Sequence, residues 1–300
     1  MNEKLDELKN LLAEIADLDR ANALLGWDQQ VYMPRGGAED RGNILATVSS
    51  IAHQKSTSDE LGRLLDELKP YAATLDPESD DACLILRSAH NFEKNQKIPN
   101  RWVADFARES TISQTTWEKA KAESNFSLFQ PYLERMVDLR KEYASFFEPY
   151  EHVYDPLLDD FESGLKTSEV QQIFAALRPE QISLVREITS KPKIDDRFLS
   201  LTYDEKGQRE FGLEVSRAIG FDFNRGREDV SVHPFTTSFG IDDVRITTHF
   251  MPEHVTSAIF STVHETGHAL YEQGISTSLR RTPLATGASM AVHESQSRMW

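Results

Sequence analysis

Apolar residues in the first two-thirds of the chain recur every three or four positions, with polar and charged residues between them. The first stretch carries Leu5, Leu8, Leu12 and Ile15 in this pattern, which places them on one face of an amphipathic helix. Similar stretches predict further helices over residues 41–68, 77–94, 101–122, 128–147, 168–190 and 204–219. We interpret the apolar stripes as faces that pack in the core.

Proline, serine and glycine residues predict where these helices begin, bend and end. Ser168, with Gln171 three residues later, resembles a capping box at a helix start. Gly220 stands where a helix would end. Pro179 lies inside one stretch and predicts a kink or a break, because proline lacks a backbone N–H and clashes with the preceding turn.

The pattern changes to a period of two after Gly220. Residues 229–235 and 243–250 roughly alternate apolar and polar side chains, include β-branched residues and are separated by Gly240. This pattern predicts a short β-hairpin or a small sheet. Helical periodicity returns from about 253 to 273, so the fold class is mainly α with a small β element ahead of a late helix.

Composition and charge narrow the class of protein. The 300 residues are 39% hydrophobic and 27% charged, which is typical of a globular protein. The 33 basic and 49 acidic residues give a net charge of −16, and this charge repels nucleic acid and anionic membrane surfaces. No apolar run approaches the roughly 18–20 residues that span a bilayer, and the charged N-terminal residues do not resemble a secretory signal. A single cysteine excludes an internal disulfide and agrees with a cytoplasmic location.

No repeat of fixed period and no long linker divides the chain. We therefore expect one domain over residues 1–300, with a helical part over 1–220 and a part over 221–300 that carries the chemistry.

The most informative motif is His264-Glu265-Thr266-Gly267-His268. On a helix, side chains four residues apart emerge about 40° apart, so both imidazoles can reach one tetrahedral metal ion. Glu265, one step around the helix, can address a water at the metal. The alternative interpretation is that the two histidines have no metal-binding role. His264 and His268 project opposite the centre of the helix's apolar stripe, however, so we expect them outside the packing layer of that stripe.

A catalytic metal site of this type needs a third protein ligand and an open position for water. Glu294 lies in the next helix-like stretch, after a turn-rich link that lets this stretch fold back beside the first. Glu272, four residues after His268, is a rival but is expected to lie too far along the same helix. His293 is also a possible ligand, so spacing alone leaves the third position open.

The ordered motifs of the chain resemble those of the carboxypeptidase Taq family of zinc metallopeptidases. The matching motifs are His233-Pro234-Phe235, Asp243-x-Arg245-x-Thr247, His264-Glu265-x-x-His268 and His293-Glu294-Ser295-Gln296, with Gly26-Trp27-Asp28-Gln29 and Met33-Pro34 near the start. The resemblance implies an elongated, mostly helical fold with a deep groove, a homodimer, and removal of single C-terminal residues from peptides. Members of the family are longer, so we also expect this chain to be incomplete at its C-terminus.

The same resemblance implies roles for individual residues. His264, His268 and Glu294 would bind Zn²⁺, and Glu265 would be the catalytic base; cobalt or another divalent metal also suits these ligands. His233 and Arg245 fall in motifs associated with the substrate groove, although Arg245 is equally suited to pair with Asp243. Two other hypotheses remain: an endo- or aminopeptidase with the same helix, and a non-catalytic helical binding module with a structural or empty metal site.

Overall fold

A computed structural model describes residues 2–300, which form eleven α-helices and three β-strands. The helices are α1 (Asn2–Val31), α2 (Ala38–Ser56), α3 (Asp59–Ala72), α4 (Asp80–Asn95), α5 (Asn100–Ala122), α6 (Phe126–Ser145), α7 (Asp155–Asp159), α8 (Thr167–Thr189), α9 (Glu205–Ala218), α10 (Val255–Gln273) and α11 (Met290–Met299). The strands are β1 (Gly226–Val230), β2 (Thr236–Gly240) and β3 (Asp243–Thr248). The mainly α fold with a small sheet before α10 confirms the fold class predicted from the sequence.

The N-terminal helices pack around two apolar clusters. In the first cluster, leucines of α1 and α3 pack against α4. Leu8 of α1, Leu68 of α3 and Ile85 of α4 are fully buried there. A second cluster joins α5 to α6 through Trp102 and Leu139. These apolar stripes face the core, as their period predicts.

The sheet differs in detail from a simple hairpin. β3 is the central strand: β2 pairs with it antiparallel and β1 pairs with it parallel. The predicted run 229–235 therefore contributes only its first residues to a strand, and the hairpin partner of β3 is β2. The small sheet is confirmed, while its pairing required the tertiary structure because a period of two does not specify a partner.

The sheet supports α10 through a buried contact. Val244 and Ile246 of β3 pack with Phe221 and Ala269, and all four are buried. Behind this cluster, Ser216 of α9 bonds the hydroxyl of Thr266 at 2.9 Å. The late helix is thus fixed on one side by β3 and on another by α9.

Several predicted helix limits are wrong. The stretch 41–68 is two helices, α2 and α3, and α3 begins after Ser58, whose hydroxyl accepts a hydrogen bond from the Leu61 amide. α8 continues through Pro179 without a break. Its predicted Ser168–Gln171 cap is replaced by Glu169, whose carboxylate accepts from the Lys166 amide at 2.9 Å.

The apolar stripe of α8 is also not packed as predicted. α8 has no buried residue, and Phe174 and Ile188 are each more than half exposed. Its helical period is correct, but no element among residues 2–300 buries this stripe. Within the same described range, no helix has the length and apolarity to cross a bilayer.

Candidate metal centre

His264, His268 and Glu294 lie together where α11 crosses α10. One ligand atom from each lies within 4.8 Å of the others. Oε2 of Glu294 is 3.3 Å from Nε2 of His268 and 3.9 Å from Nε2 of His264. We call these three residues the trio.

The spacing of the trio suits a single metal ion. Zinc ligands lie about 2.0–2.2 Å from the metal, so two ligand atoms of a tetrahedral site are about 3.3–3.5 Å apart. The His268–Glu294 distance matches that separation, and the His264–Glu294 distance exceeds it by about half an ångström. Two imidazoles and one carboxylate are a donor set that Zn²⁺ and related cations accept.

α11 approaches α10 closely because residue 267 is glycine. A Cβ on Gly267 would lie 2.6 Å from Cα of Ser297 and 2.7 Å from the carbonyl oxygen of Gln296. Both contacts are with backbone atoms, so a larger residue requires the helices to separate. The glycine inside the motif therefore lets α11 bring Glu294 to the two histidines.

This crossing buries part of the motif. Glu265 and His268 are buried, while His264 is partly exposed. His268 is buried by its contacts with His293 and Glu294 of α11, so its burial does not contradict the prediction that both histidines avoid the packing layer of the apolar stripe. Burial, together with neighbouring His293 and His264, lowers the pKa of His268, which favours the neutral imidazole that binds metals.

Glu265 is held by the sheet. Thr236 of β2 donates its hydroxyl to Oε2 of Glu265 at 2.7 Å. The buried location raises the pKa of Glu265 against the opposing effect of this hydrogen bond. Thr236 was not predicted as a site residue, and its one signal in the sequence is its place next to the His233-Pro234-Phe235 motif.

The two rivals for the third ligand position bind each other. His293 donates its Nε2–H to Oε1 of Glu272 at 3.0 Å. Both are largely buried, and the His293 ring stacks on His268 with a centroid distance of 4.5 Å. Of these three residues, only Glu294 brings a ligand atom close to the ligand atoms of both His264 and His268.

The two motif residues considered for substrate contact lie in different surroundings. Arg245 forms a bidentate ion pair with Asp243, at 2.8 and 2.9 Å, and its guanidinium stacks over Trp27. The alternative pairing with Asp243 is thus the one observed. His233 is exposed, and its carbonyl oxygen accepts a hydrogen bond from Ser231. A substrate role for His233 or Arg245 stays a prediction.

The Gly26-Trp27 motif of α1 contacts the β-sheet next to the candidate metal site. Trp27 of α1 is buried and packs edge-on against Phe239 of β2. The same strand carries Thr236, so α1 braces the strand that holds Glu265. This contact links the motif near the start of the chain to the later part that carries the other motifs.

A cleft of about 810 Å³ opens beside the trio. Thr236, Glu272 and His293 line it; Thr236 contacts Glu265, and His293 contacts His268 and Glu272. Asp19 and Arg20 of α1 line another part of its wall. The cleft is a concave space of the size that binds small ligands and peptide ends.

Comparison with known proteins gives one consistent result. The model of the carboxypeptidase Taq (M32) metallopeptidase family matches residues 7–300. Carboxypeptidase 1 of Bacillus subtilis strain 168 is 38% identical over 292 residues, which are 97% of this chain and 58% of that protein. This chain thus spans less than two-thirds of the length of its curated relative.

Solved structures agree with this relationship. The crystal structure of BsuCP superposes with a TM-score of 0.94 at 36% identity, over 98% of this chain and 59% of that one. The M32 carboxypeptidase of Deinococcus radiodurans R1 superposes with a TM-score of 0.86, also at 36% identity, over 99% of this chain and 59% of that one. A match over nearly all of the chain, in sequence and in fold, shows that it belongs to the carboxypeptidase Taq (M32) metallopeptidase family.

Proposed function

We propose that this chain acts in a metal-dependent carboxypeptidase that hydrolyses the C-terminal peptide bond of peptides. The observation that carries the proposal is the trio, with Glu265 beside it and a cleft along its flank. Membership of the M32 family and relatives named as carboxypeptidases support the substrate class.

In this proposal His264, His268 and Glu294 hold one divalent cation, for which Zn²⁺ is our first choice and cobalt or another divalent metal the alternative. When bound, the cation supplies Lewis-acid polarisation of the scissile carbonyl and of the attacking water. The donor set leaves room for water because, within the described residues 2–300, three protein groups converge, one fewer than in a closed tetrahedral site.

Glu265 then moves the proton. Its Oε2 accepts from Thr236, which leaves Oε1 as the oxygen that takes a proton from the attacking water. The same carboxyl group delivers that proton to the leaving amine when the peptide bond breaks. Thr236 keeps the carboxylate in one orientation throughout, since it is anchored in β2.

Assembly and location follow from the resemblance and from composition. We propose a homodimer, as the family implies, and a cytoplasmic location, which a chain with one cysteine favours. Peptides are the proposed partners.

The test compares peptides that differ only at their ends. Metal content is measured first, and the metal-loaded chain is then given one peptide with a free C-terminus, an amidated copy and an N-acetylated copy. We expect release of the last residue from the free and acetylated peptides and no reaction with the amidated one. Internal cleavage of the amidated peptide would identify an endopeptidase, and failure on the acetylated peptide alone would identify an aminopeptidase. Metal binding without hydrolysis would favour the binding-module hypothesis.

A further inference from the structure

Glu272 and His293 form a buried, hydrogen-bonded pair next to the trio that the proposed chemistry does not use. Their side chains are 10% and 16% exposed, and Nε2 of His293 lies 3.0 Å from Oε1 of Glu272. Such a hydrogen bond replaces the hydrogen bonds that both side chains make with water in the unfolded chain, so its net contribution to stability is small. The pair is therefore a poor device for general stability, and its position requires another explanation.

The pair repeats the connection that the trio makes between the same two helices. Glu272 lies one turn after His268 on α10, and His293 directly precedes Glu294 on α11. Each member is thus the neighbour of a proposed ligand. A bond between them restrains the rotation of one helix about the other at the level of the trio.

The ring of His293 is also fixed on its faces and edges. It stacks on His268 with an interplanar angle of 19°, and Tyr271 meets it at 70° with centroids 5.4 Å apart. A Cβ on Gly287 would lie 2.9 Å from its Cδ2 atom. The ring therefore has little freedom, and a fixed ring limits the orientations open to His268.

We propose that Glu272 and His293 are positioning residues that orient His268 toward the metal and set the α10–α11 crossing that delivers Glu294. This inference rests on the proposed metal site but not on any hydrolytic activity. Groups that hydrogen-bond a metal ligand typically change metal affinity about 10–100-fold, and we expect His293, which stacks on the ring of His268, to act in the same range. The ring face of His293 and its bond to Glu272 are separate contributions, so each can be removed alone.

Three variants separate these contributions. His293→Phe keeps a flat ring against His268 but cannot bond Glu272, while His293→Gln keeps a polar partner for Glu272 but offers no ring. Glu272→Gln keeps the size and hydrogen-bonding capacity of the side chain and serves as the conservative rescue. His90→Ala, which replaces an exposed histidine on α4, is the matched control.

The readouts are Co²⁺ affinity by chelator competition, the visible spectrum of bound Co²⁺, and the melting temperature in excess chelator. We expect both His293 variants to lose about 10–100-fold in affinity and to shift the Co²⁺ spectrum, while Glu272→Gln and His90→Ala stay within about threefold. Metal-free melting temperatures should remain close to that of the parent.

Other outcomes would overturn the inference, the proposed function, or both. Parent-like affinity and spectrum in both His293 variants would overturn the inference while leaving the proposed function intact. An affinity loss that only follows a lowered metal-free melting temperature, with an unchanged Co²⁺ spectrum, would show a merely structural role and would also overturn it. Altered Co²⁺ binding in a chain that hydrolyses no peptide would sustain the inference and refute the proposed function. A parent chain that binds no Co²⁺ would refute both.

Discussion

Arg298 donates its Nε–H to Oε1 of Glu294 at 2.9 Å, from one turn later on α11. The other carboxylate oxygen, Oε2, is the one that faces both imidazoles. The two oxygens of Glu294 thus have separate partners, and Arg298 selects which oxygen points at the candidate metal position.

The first prediction compares these two residues. Glu294→Gln should lower metal affinity by more than about 100-fold, because it removes the only carboxylate of the trio. Arg298→Ala should lower it less than about threefold, since the arginine is 73% exposed and such surface pairs contribute about 0.3–0.5 kcal/mol. A metal titration of both variants checks this. Equal losses would show that Arg298 does more than orient one oxygen.

The second prediction concerns the close approach of α11 to α10. Gly267→Ala should destabilise the protein by about 1–3 kcal/mol, the usual cost of overpacking, and should weaken metal binding, because its Cβ meets backbone atoms of α11. Gly26→Ala is the control: no atom lies within 4 Å of the added Cβ, and an alanine inside a helix gains about 0.5–1 kcal/mol. Urea unfolding of the two variants should therefore give changes of opposite sign. A Gly267→Ala protein with parental stability and affinity would contradict the crossing geometry described above.

The third prediction separates binding from turnover. Glu265→Gln should retain one metal ion per chain, because Glu265 is not part of the trio, and should lose about 100- to 10,000-fold in hydrolysis, the typical contribution of a general base. Thr236→Val should show a smaller loss, since it frees the carboxylate without removing it. Elemental analysis and a C-terminal release assay on both variants provide the measurement. Hydrolysis by Glu265→Gln at the parental rate would exclude the proposed base.

The fourth prediction concerns pH and Asp19 in the cleft. The surrounding walls reduce hydration and raise the pKa of Asp19 to about 6. A carboxyl group with a raised pKa binds its proton more tightly in the folded chain, so its ionisation destabilises the fold as pH rises from about 4 to above 6. Asp19→Asn should remove this pH dependence of the free energy of unfolding. The change should be less than about 1 kcal/mol, because the side chain is exposed to solvent in the cleft.

Urea unfolding at pH 4 and pH 7.5 checks this prediction. The Asn variant should match the parent at pH 4 and exceed it at pH 7.5. Asp6→Asn, which changes an exposed acid near the start of α1, is the control and should show no such difference. An identical pH dependence of Asp19→Asn and the parent would mean that Asp19 titrates as it does in water.

Local pattern carried much of the information about this protein. The three- and four-residue period of α1 and the HExxH spacing in α10 follow from backbone geometry alone, since the residues involved are neighbours on one helix. The alternating run 243–250 likewise indicated a strand. These features depend on contacts within one element, which the order of residues specifies.

Decisions between distant elements required the tertiary structure. Spacing left Glu294 and His293 open as the third ligand, with Glu272 a more distant rival, and only the α10–α11 crossing placed Glu294 against His268 while pairing the other two. The partner of β3 and the bonding of Glu265 by Thr236 were decided in the same way. The amphipathic period indicates which face of an element is apolar. Which element packs on that face, and at what distance, depends on how the two surfaces fit, as the close approach of α11 to α10 at Gly267 shows.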